Sequence, residues 1–230
     1  GWLVKTDSSG NRIWDKTVGA DLNGCRLSSV QITKDGGYIL AGIDYYSGLL
    51  LYKTDNQGNT QWNKTLGGAS DYWGLMSDPE VQLTDDGGYI IAFIMPEGEK
   101  DNRMLESAWL IKVNSAGDKE WDKIFKDEGS TYSRANSVQQ TSDGGYIVSG
   151  RIIQSGKGST NAWLIKTDSS GNKEWERIFS GGDMAKSVRQ TSDGGYIIAG
   201  DTWYNKTNKN DFWLEKIGSD GDDGRQEDAR

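Results

Sequence analysis

Residues Ser187–Gly200 read SVRQTSDGGYIIAG: a short polar segment, a glycine turn and an apolar run. Three related copies lie upstream, at Ser29–Gly42, Val81–Phe93 and Ser137–Gly150. Because glycine reaches positive φ without strain, the Asp-Gly-Gly of each copy predicts the turn of a β-hairpin. The apolar half, such as Tyr196-Ile-Ile-Ala-Gly, is typical of a strand covered on both faces. The four copies therefore predict four hairpins with buried second strands.

A second repeated unit lies between these hairpins. AWLIKTDSSGNKEWERIF begins at Ala162 and has relatives at Gly1, Leu50 and Ala108, with a partial fifth copy, FWLEKIGSDGD, at Phe212. The unit begins apolar, turns at Asp-Ser-Ser-Gly-Asn and ends in a charged strand around a tryptophan. Charge of this kind protects an outer edge strand from pairing with other chains. Each repeat thus predicts four short strands, which we call A, B, C and D in chain order.

Four-stranded antiparallel units packed between like neighbours form a β-propeller, and we predict this all-β fold. No segment shows the sustained periodicity that helical repeats need. If the N-terminal strand around Trp14 joined the last hairpin, strand exchange would close a ring of four blades; five blades, or part of a larger propeller, are the alternatives. We expect the propeller to span residues 1–217, with repeats near 1–49, 50–107, 108–161 and 162–211, a partial repeat at 212–222, and an acidic polar tail at 218–230.

Composition limits the chemistry that this chain can perform. It carries 26 Lys and Arg against 34 Asp and Glu, a net charge of -8, so we expect no nucleic-acid partner. No apolar run reaches the length of a spanning helix, and we expect no membrane insertion. The 230 residues include no histidine, and Cys25 is the single cysteine. We therefore expect no metal, no cofactor and no catalytic residues.

Together the two units resemble a family of tandem-repeat propellers from secreted and surface proteins of archaea and bacteria, whose signature looks like SVxQTxDGGYIxAG followed by WLIKTDxxGNxxW. The resemblance covers about residues 1–222 and implies an extracellular or cell-surface location. Pro79 in the second strand A, Phe93 in place of a glycine and Arg225 in place of the last tryptophan depart from it. The segment from Lys166, KTDSSGNKEW, is also similar to the tryptophan-docking repeat of pyrroloquinoline-quinone propellers, which are larger and need a calcium site.

These features favour a non-enzymatic binding or interaction scaffold that presents variable loops between its strands. A self-assembling surface-layer or structural protein is the alternative; a carbohydrate-active or quinone-dependent enzyme ranks after both. The expected partners are a protein or a glycan at the cell surface, with self-association through the terminal strands as a further expectation. Aromatic side chains in loops can stack on sugar rings or anchor a protein partner. The candidate binding residues are Tyr45, Tyr46, Tyr72, Trp73, Trp203 and Tyr204.

Two other sets of residues recur without pointing to catalysis. We expect the acids of the hairpin turns to cap their own turns through backbone hydrogen bonds. These acids are Asp35, Asp86, Asp143 and Asp193. Asn63 and Asn205 begin Asn-x-Thr sequences that permit glycosylation.

Overall fold

A computed structural model describes residues 1–19, 24–44, 46–68, 78–100, 103–126, 130, 132–154, 160–179, 184–204 and 209–222. Of residues 99–100, 103–104, 203–204 and 209–210, only the backbone is described. The described residues form 17 strands and no helix. Accordingly, this part of the chain contains no helix that could cross a membrane.

The chain begins with a two-stranded hairpin and a complete blade. Strands β1 (Trp2–Thr6) and β2 (Arg12–Thr17) pair only with each other. Blade 1 follows as a four-stranded antiparallel sheet in chain order. Its strands are β3 (Cys25–Ile32), β4 (Tyr38–Asp44), β5 (Gly48–Thr54) and β6 (Thr60–Gly68).

Blades 2 and 3 share one eight-stranded sheet. Blade 2 contains β7 (Glu80–Leu83), β8 (Tyr89–Lys100), β9 (Arg103–Val113) and β10 (Lys119–Phe125). Blade 3 contains β11 (Tyr132–Gln140), β12 (Tyr146–Ile153), β13 (Thr160–Thr167) and β14 (Lys173–Phe179). A short parallel pairing of β11 with β9 joins the two blades.

Blade 4 has three strands in the described residues. They are β15 (Met184–Gln190), β16 (Tyr196–Tyr204) and β17 (Lys209–Ile217). The all-β propeller-type fold is thus confirmed. Strand exchange between the two ends is not formed among the described strands, since β2 pairs with β1 and β17 with β16.

Neighbouring blades are joined by one repeated aromatic contact. The strand D tryptophan of each unit packs on the strand B tyrosine of the next blade, with ring centroids 5.7–6.3 Å apart. The pairs are Trp14–Tyr38, Trp62–Tyr89, Trp121–Tyr146 and Trp175–Tyr196. The same tryptophans lie against the C–D turn glycine of that next blade, as Trp121 does against Gly171. Tryptophan and glycine therefore define the spacing of the blades.

Two departures from the repeat in blade 2 have one physical cause. In the other blades a glycine within strand B faces a strand A carbonyl; a Cβ on Gly150 would lie 1.8 Å from the Arg134 oxygen. Proline cannot donate the backbone hydrogen bond that a strand needs. Pro79 precedes β7, which is only four residues long and begins at Glu80. Glu80 pairs with Ala92, so the strand A of blade 2 begins one residue after the position opposite Phe93. A large side chain therefore fits where the other blades carry glycine, and Phe93 is fully buried.

A buried ion pair stabilises the junction of blades 2 and 3. The Arg134 guanidinium donates to both Glu106 oxygens, with Nη2 2.9 Å from Oε1. Both side chains are largely buried, and the Arg134 guanidinium also lies over the Tyr132 ring, 4.5 Å from its centroid. This pair lies where β9 and β11 run side by side.

Candidate functional site

A lysine buried in strand C recurs on the end of the propeller that carries the A–B and C–D turns. Lys112 Nζ donates to Asp86 Oδ2 at 2.8 Å and to Glu120 Oε2 at 2.8 Å. Lys166 makes the same two contacts with Asp143 and Glu174 in blade 3. Both lysine side chains are at most 4 % exposed. Each lysine thus links the A–B turn of its blade to strand D.

The lysines keep the turn acids ionised. Burial raises the pKa of Asp86, but hydrogen bonds from Lys112, from Thr84 and from a backbone N–H outweigh burial and lower the pKa to about 2. Asp143 has the same balance, with Lys166 as its main hydrogen-bond donor, and its pKa is also lowered to about 2. The predicted turn capping is present too: the N–H of the second turn glycine donates to each of the four acids. The ion pairs between these lysines and the turn acids were not predicted from the sequence. A lysine at the same position of each otherwise apolar strand C was the feature that could have indicated them.

A groove opens on this same end between blades 1 and 2. Its volume is about 260 Å³. The turns of both blades and the start of β6 form its walls. The lining residues are Thr33, Lys34, Asp35, Lys53, Gln61, Trp62, Leu83, Gly87, Tyr89 and Ser115.

Two of the residues that line this groove, Gln61 and Leu83, differ from the residues at the same repeat positions in other blades. Gln61 takes the place of the glutamates Glu120 and Glu174, and its Oε1 accepts from Lys53 Nζ at 3.0 Å. Leu83 takes the place of Gln140, whose Oε1 accepts from the Asp85 backbone N–H at 2.9 Å. Leucine cannot accept that hydrogen bond. The side chain that bridges blades 2 and 3 therefore has no counterpart between blades 1 and 2.

The groove combines an aromatic wall with polar groups of different kinds. Trp62 and Tyr89 supply the aromatic surface, with ring centroids 6.3 Å apart. Hydrogen bonds from Lys53 and Thr33 hold the pKa of Asp35 far below its usual range, so Asp35 is a permanent acceptor at neutral pH. The Gln61 amide can donate, which a carboxylate could not. Asp35 is the one carboxylate among the described lining residues.

Three of the six aromatic residues proposed from sequence fall within the described backbone. Tyr46 is exposed in the turn between β4 and β5, at the opposite end of the blade from the groove. Tyr45, Tyr72 and Trp73 fall outside the described residues. Trp203 and Tyr204, which we expected in a loop, belong to β16, because β16 and β17 stay paired as far as Tyr204 and Lys209. Of the six, only Tyr46 has a described side chain, and it does not line the groove.

The structure also locates one of the two Asn-x-Thr sequences and the turn near the end of the described chain. Asn63 is exposed on the outer strand β6, and Asn205 falls outside the described residues. The partial fifth copy that begins at Phe212 ends in a C–D turn like those of the other units, with Gly221 N–H donating to the Gly218 carbonyl at 3.1 Å. Among the described residues, no group of three or more acids or cysteines is arranged to hold a metal ion.

Comparison with known proteins finds similarity at the level of fold. No family model matches the chain, and no curated protein matches it. Among solved structures, an endo-arabinase from Bacteroides thetaiotaomicron matches with 13 % identity over 82 % of this chain and 73 % of its own, at a TM-score of 0.47. A B. megaterium levansucrase matches with 14 % identity over 89 % and 69 %, at 0.46. A structure named as a glycoside hydrolase matches with 11 % identity over 84 % and 47 %, at 0.46.

These names correct two expectations from the sequence. We expected a non-enzymatic scaffold, whereas these three structures are named as an endo-arabinase, a levansucrase and a glycoside hydrolase. The expectation that the chain is not an enzyme is therefore contradicted. At such low identity the similarity assigns no residue and no activity to this chain. The resemblance to a tandem-repeat surface family and the extracellular location stay predictions.

Proposed function

We propose that this protein is active on carbohydrate and that the groove between blades 1 and 2 binds one sugar unit. One observation carries the proposal: Gln61 and Leu83, which both break the repeat, line the same groove. A shared scaffold places individual function where its repeats diverge. Blades 2 and 3 carry a glutamate at the position of Gln61, and blades 3 and 4 carry a bridging glutamine at the position of Leu83, where blade 1 has Ile32.

The chemistry of the lining supports a sugar as the ligand. A sugar ring presents an apolar C–H face, which packs on an aromatic ring such as Trp62, and hydroxyl groups that both donate and accept hydrogen bonds. Asp35 can accept from a hydroxyl, and the Gln61 amide can donate to one. Lys53 is shared between these two residues, at 2.8 Å from Asp35 Oδ2 and 3.0 Å from Gln61 Oε1. It therefore orients both groups towards one ligand.

The size of the groove limits what it can hold. Its volume of about 260 Å³ is slightly below the range of roughly 300–1,000 Å³ typical of small-molecule sites. This suits a single sugar unit, free or at the end of a chain, better than an internal stretch of polysaccharide. Glycoside hydrolysis ordinarily uses two carboxyl groups. Asp35 alone is available in the described lining, so the groove is proposed as the recognition subsite.

Binding can be tested with variants that restore the repeat. The purified protein is screened on a glycan array, and the best saccharide is titrated by calorimetry against wild type, Gln61→Glu and Leu83→Gln. Blade 2 carries Glu120 at the position of Gln61, and blade 3 carries Gln140 at the position of Leu83, so we expect both variants to fold. We expect each variant to weaken binding at least tenfold. Glu120→Gln makes the reverse change in blade 2, outside the groove, and should leave the affinity unchanged.

Activity needs a second readout. Reducing ends released from a panel of plant and microbial polysaccharides are measured for the same four proteins. If the groove recognises the substrate, release falls in Gln61→Glu and Leu83→Gln and not in Glu120→Gln. Saccharide binding or release that is equal in all four proteins would refute the groove as the site.

A further inference from the structure

Two arginines lie directly opposite each other in blade 3. Arg134 on β11 is the cross-strand partner of Arg151 on β12, so both side chains lie on one face of the sheet. Like charges directly opposite each other on paired strands lower the stability of a sheet. This pairing is therefore unfavourable unless a negative group lies nearby.

The same two positions of the repeat hold no such pair in blades 1 and 4. Blade 1 places Arg26 opposite Ile43, and blade 4 places Met184 opposite Asp201. Of these three blades, only blade 3 carries two positive charges here. A shared scaffold places individual function where its repeats diverge. The arginine pair is therefore a candidate for a function of its own.

The carboxylate beside this pair balances only one of the two charges. Glu106 on β9 is buried and accepts from Arg134 through both of its oxygens. Within the described part of the chain, Arg151 has no ion-pair partner, and its Nη2 donates to the Tyr132 hydroxyl. Two arginines against one glutamate leave one positive charge in this cluster, although the whole chain has a net charge of -8.

Tyr132 holds the two guanidinium groups close together and adds a hydroxyl. Its ring centroid lies 4.5 Å from Arg134 Cζ and 4.8 Å from Arg151 Cζ. Burial raises the pKa of Tyr132, so its hydroxyl stays protonated at neutral pH and can donate a hydrogen bond. Each guanidinium also carries more N–H donors than its contacts with Glu106 or Tyr132 use. The cluster therefore offers N–H and O–H donors beside an uncompensated positive charge.

We propose that Arg134, Arg151 and Tyr132 bind an oxyanion, namely the carboxylate or sulfate group of an acidic saccharide. Guanidinium groups bind such oxygens through paired, charge-assisted hydrogen bonds. The bound anion supplies the charge that the opposed arginines lack. The saccharide as its source rests on the proposed function, whereas the anion site does not. Arg151 lies near the end of β12 that leads into the B–C connection, at the opposite end of the blades from the groove.

The anion site is tested by calorimetric titration of sodium sulfate into the protein in chloride buffer. Arg151→Ile gives blade 3 the arginine–isoleucine pair that blade 1 carries, so we expect it to fold and to bind sulfate at least tenfold more weakly than wild type. Without sulfate, its urea unfolding should show a stability no lower than that of wild type, because the like charges are no longer opposed. Arg189→Gln is the control: it removes one positive charge from blade 4, introduces the glutamine of the other blades, and should leave sulfate affinity unchanged.

The source of the anion is tested with an oligomer of galacturonic acid and the same oligomer with its carboxyl groups methyl-esterified. Wild type should bind the acid at least tenfold more tightly than the ester, and Arg151→Ile should remove this difference. Gln61→Glu alters the groove and should leave sulfate affinity unchanged, so the groove and the anion site can fail separately.

Three results would overturn the anion site: a wild type that binds no sulfate, equal sulfate affinity in Arg151→Ile, or an Arg151→Ile variant that is less stable than wild type without sulfate. An ester that binds as tightly as the acid would overturn the assignment to an acidic saccharide.

Discussion

Gly171→Ala tests how the blades are spaced. Gly171 has φ +78°, and a Cβ there would lie 2.6 Å from Trp121 Cζ3. Gly144, in the A–B turn of the same blade, has φ +84°, and a Cβ there would meet nothing within 4 Å. Both substitutions force alanine into the left-handed region, at about 1–2 kcal/mol, and both gain about 0.4–1 kcal/mol through the unfolded chain. Only Gly171→Ala also overpacks the tryptophan, at about 1–3 kcal/mol.

The two variants therefore form a matched pair. We expect Gly144→Ala to lower the free energy of unfolding by about 1 kcal/mol and Gly171→Ala by about 2–4 kcal/mol. Urea unfolding followed by circular dichroism measures both. Trp121→Phe removes the far ring atoms that the new methyl group would meet, so in that background the extra cost of Gly171→Ala should fall to what its remaining contact contributes, with Lys123 Cγ 2.9 Å from the Cβ. Equal costs in the wild-type background would refute the proposed role of the tryptophan in spacing the blades.

Three further outcomes are expected. Glu106→Ala leaves the Arg134 guanidinium buried without its carboxylate and should cost about 3–5 kcal/mol in urea unfolding. Trp121→Ala should lower the free energy of unfolding by about 3 kcal/mol in the same assay. This is the lower end of the range for replacing a core tryptophan by alanine, because the Trp121 side chain is half-buried. The pKa values of Asp86 and Asp143 are lowered from 3.8 to about 2. Their contribution to the free energy of unfolding is therefore complete above about pH 4 and is lost as the pH falls towards 2. The double variant Asp86→Asn and Asp143→Asn should show a weaker dependence of stability on pH in this range.

The repeat made most of the fold predictable. Asp-Gly-Gly between a polar and an apolar segment occurs four times, and each copy forms the predicted hairpin because turn chemistry and alternation agree. The coupling of Pro79 to Phe93 was not predictable. It depends on a strand A carbonyl that approaches strand B in the other blades, and such a contact appears only once the two strands are paired.

The candidate site was only partly visible in the sequence. Gln61 and Leu83 can be read as departures when the repeats are aligned, but they are 22 residues apart and belong to different blades. The groove that unites them depends on how one blade packs on the next. Attention to loop aromatics such as Tyr46 favoured the opposite end of the blades, where the variable connections lie.

The position of a bound sugar tests the central claim most directly. A crystal structure of this chain with its best saccharide from the array should show the ring against Trp62, with hydroxyl groups within hydrogen-bond reach of Asp35 and Gln61. A sugar bound at the B–C connections around Tyr46, with the groove between blades 1 and 2 left unoccupied, would contradict the claim.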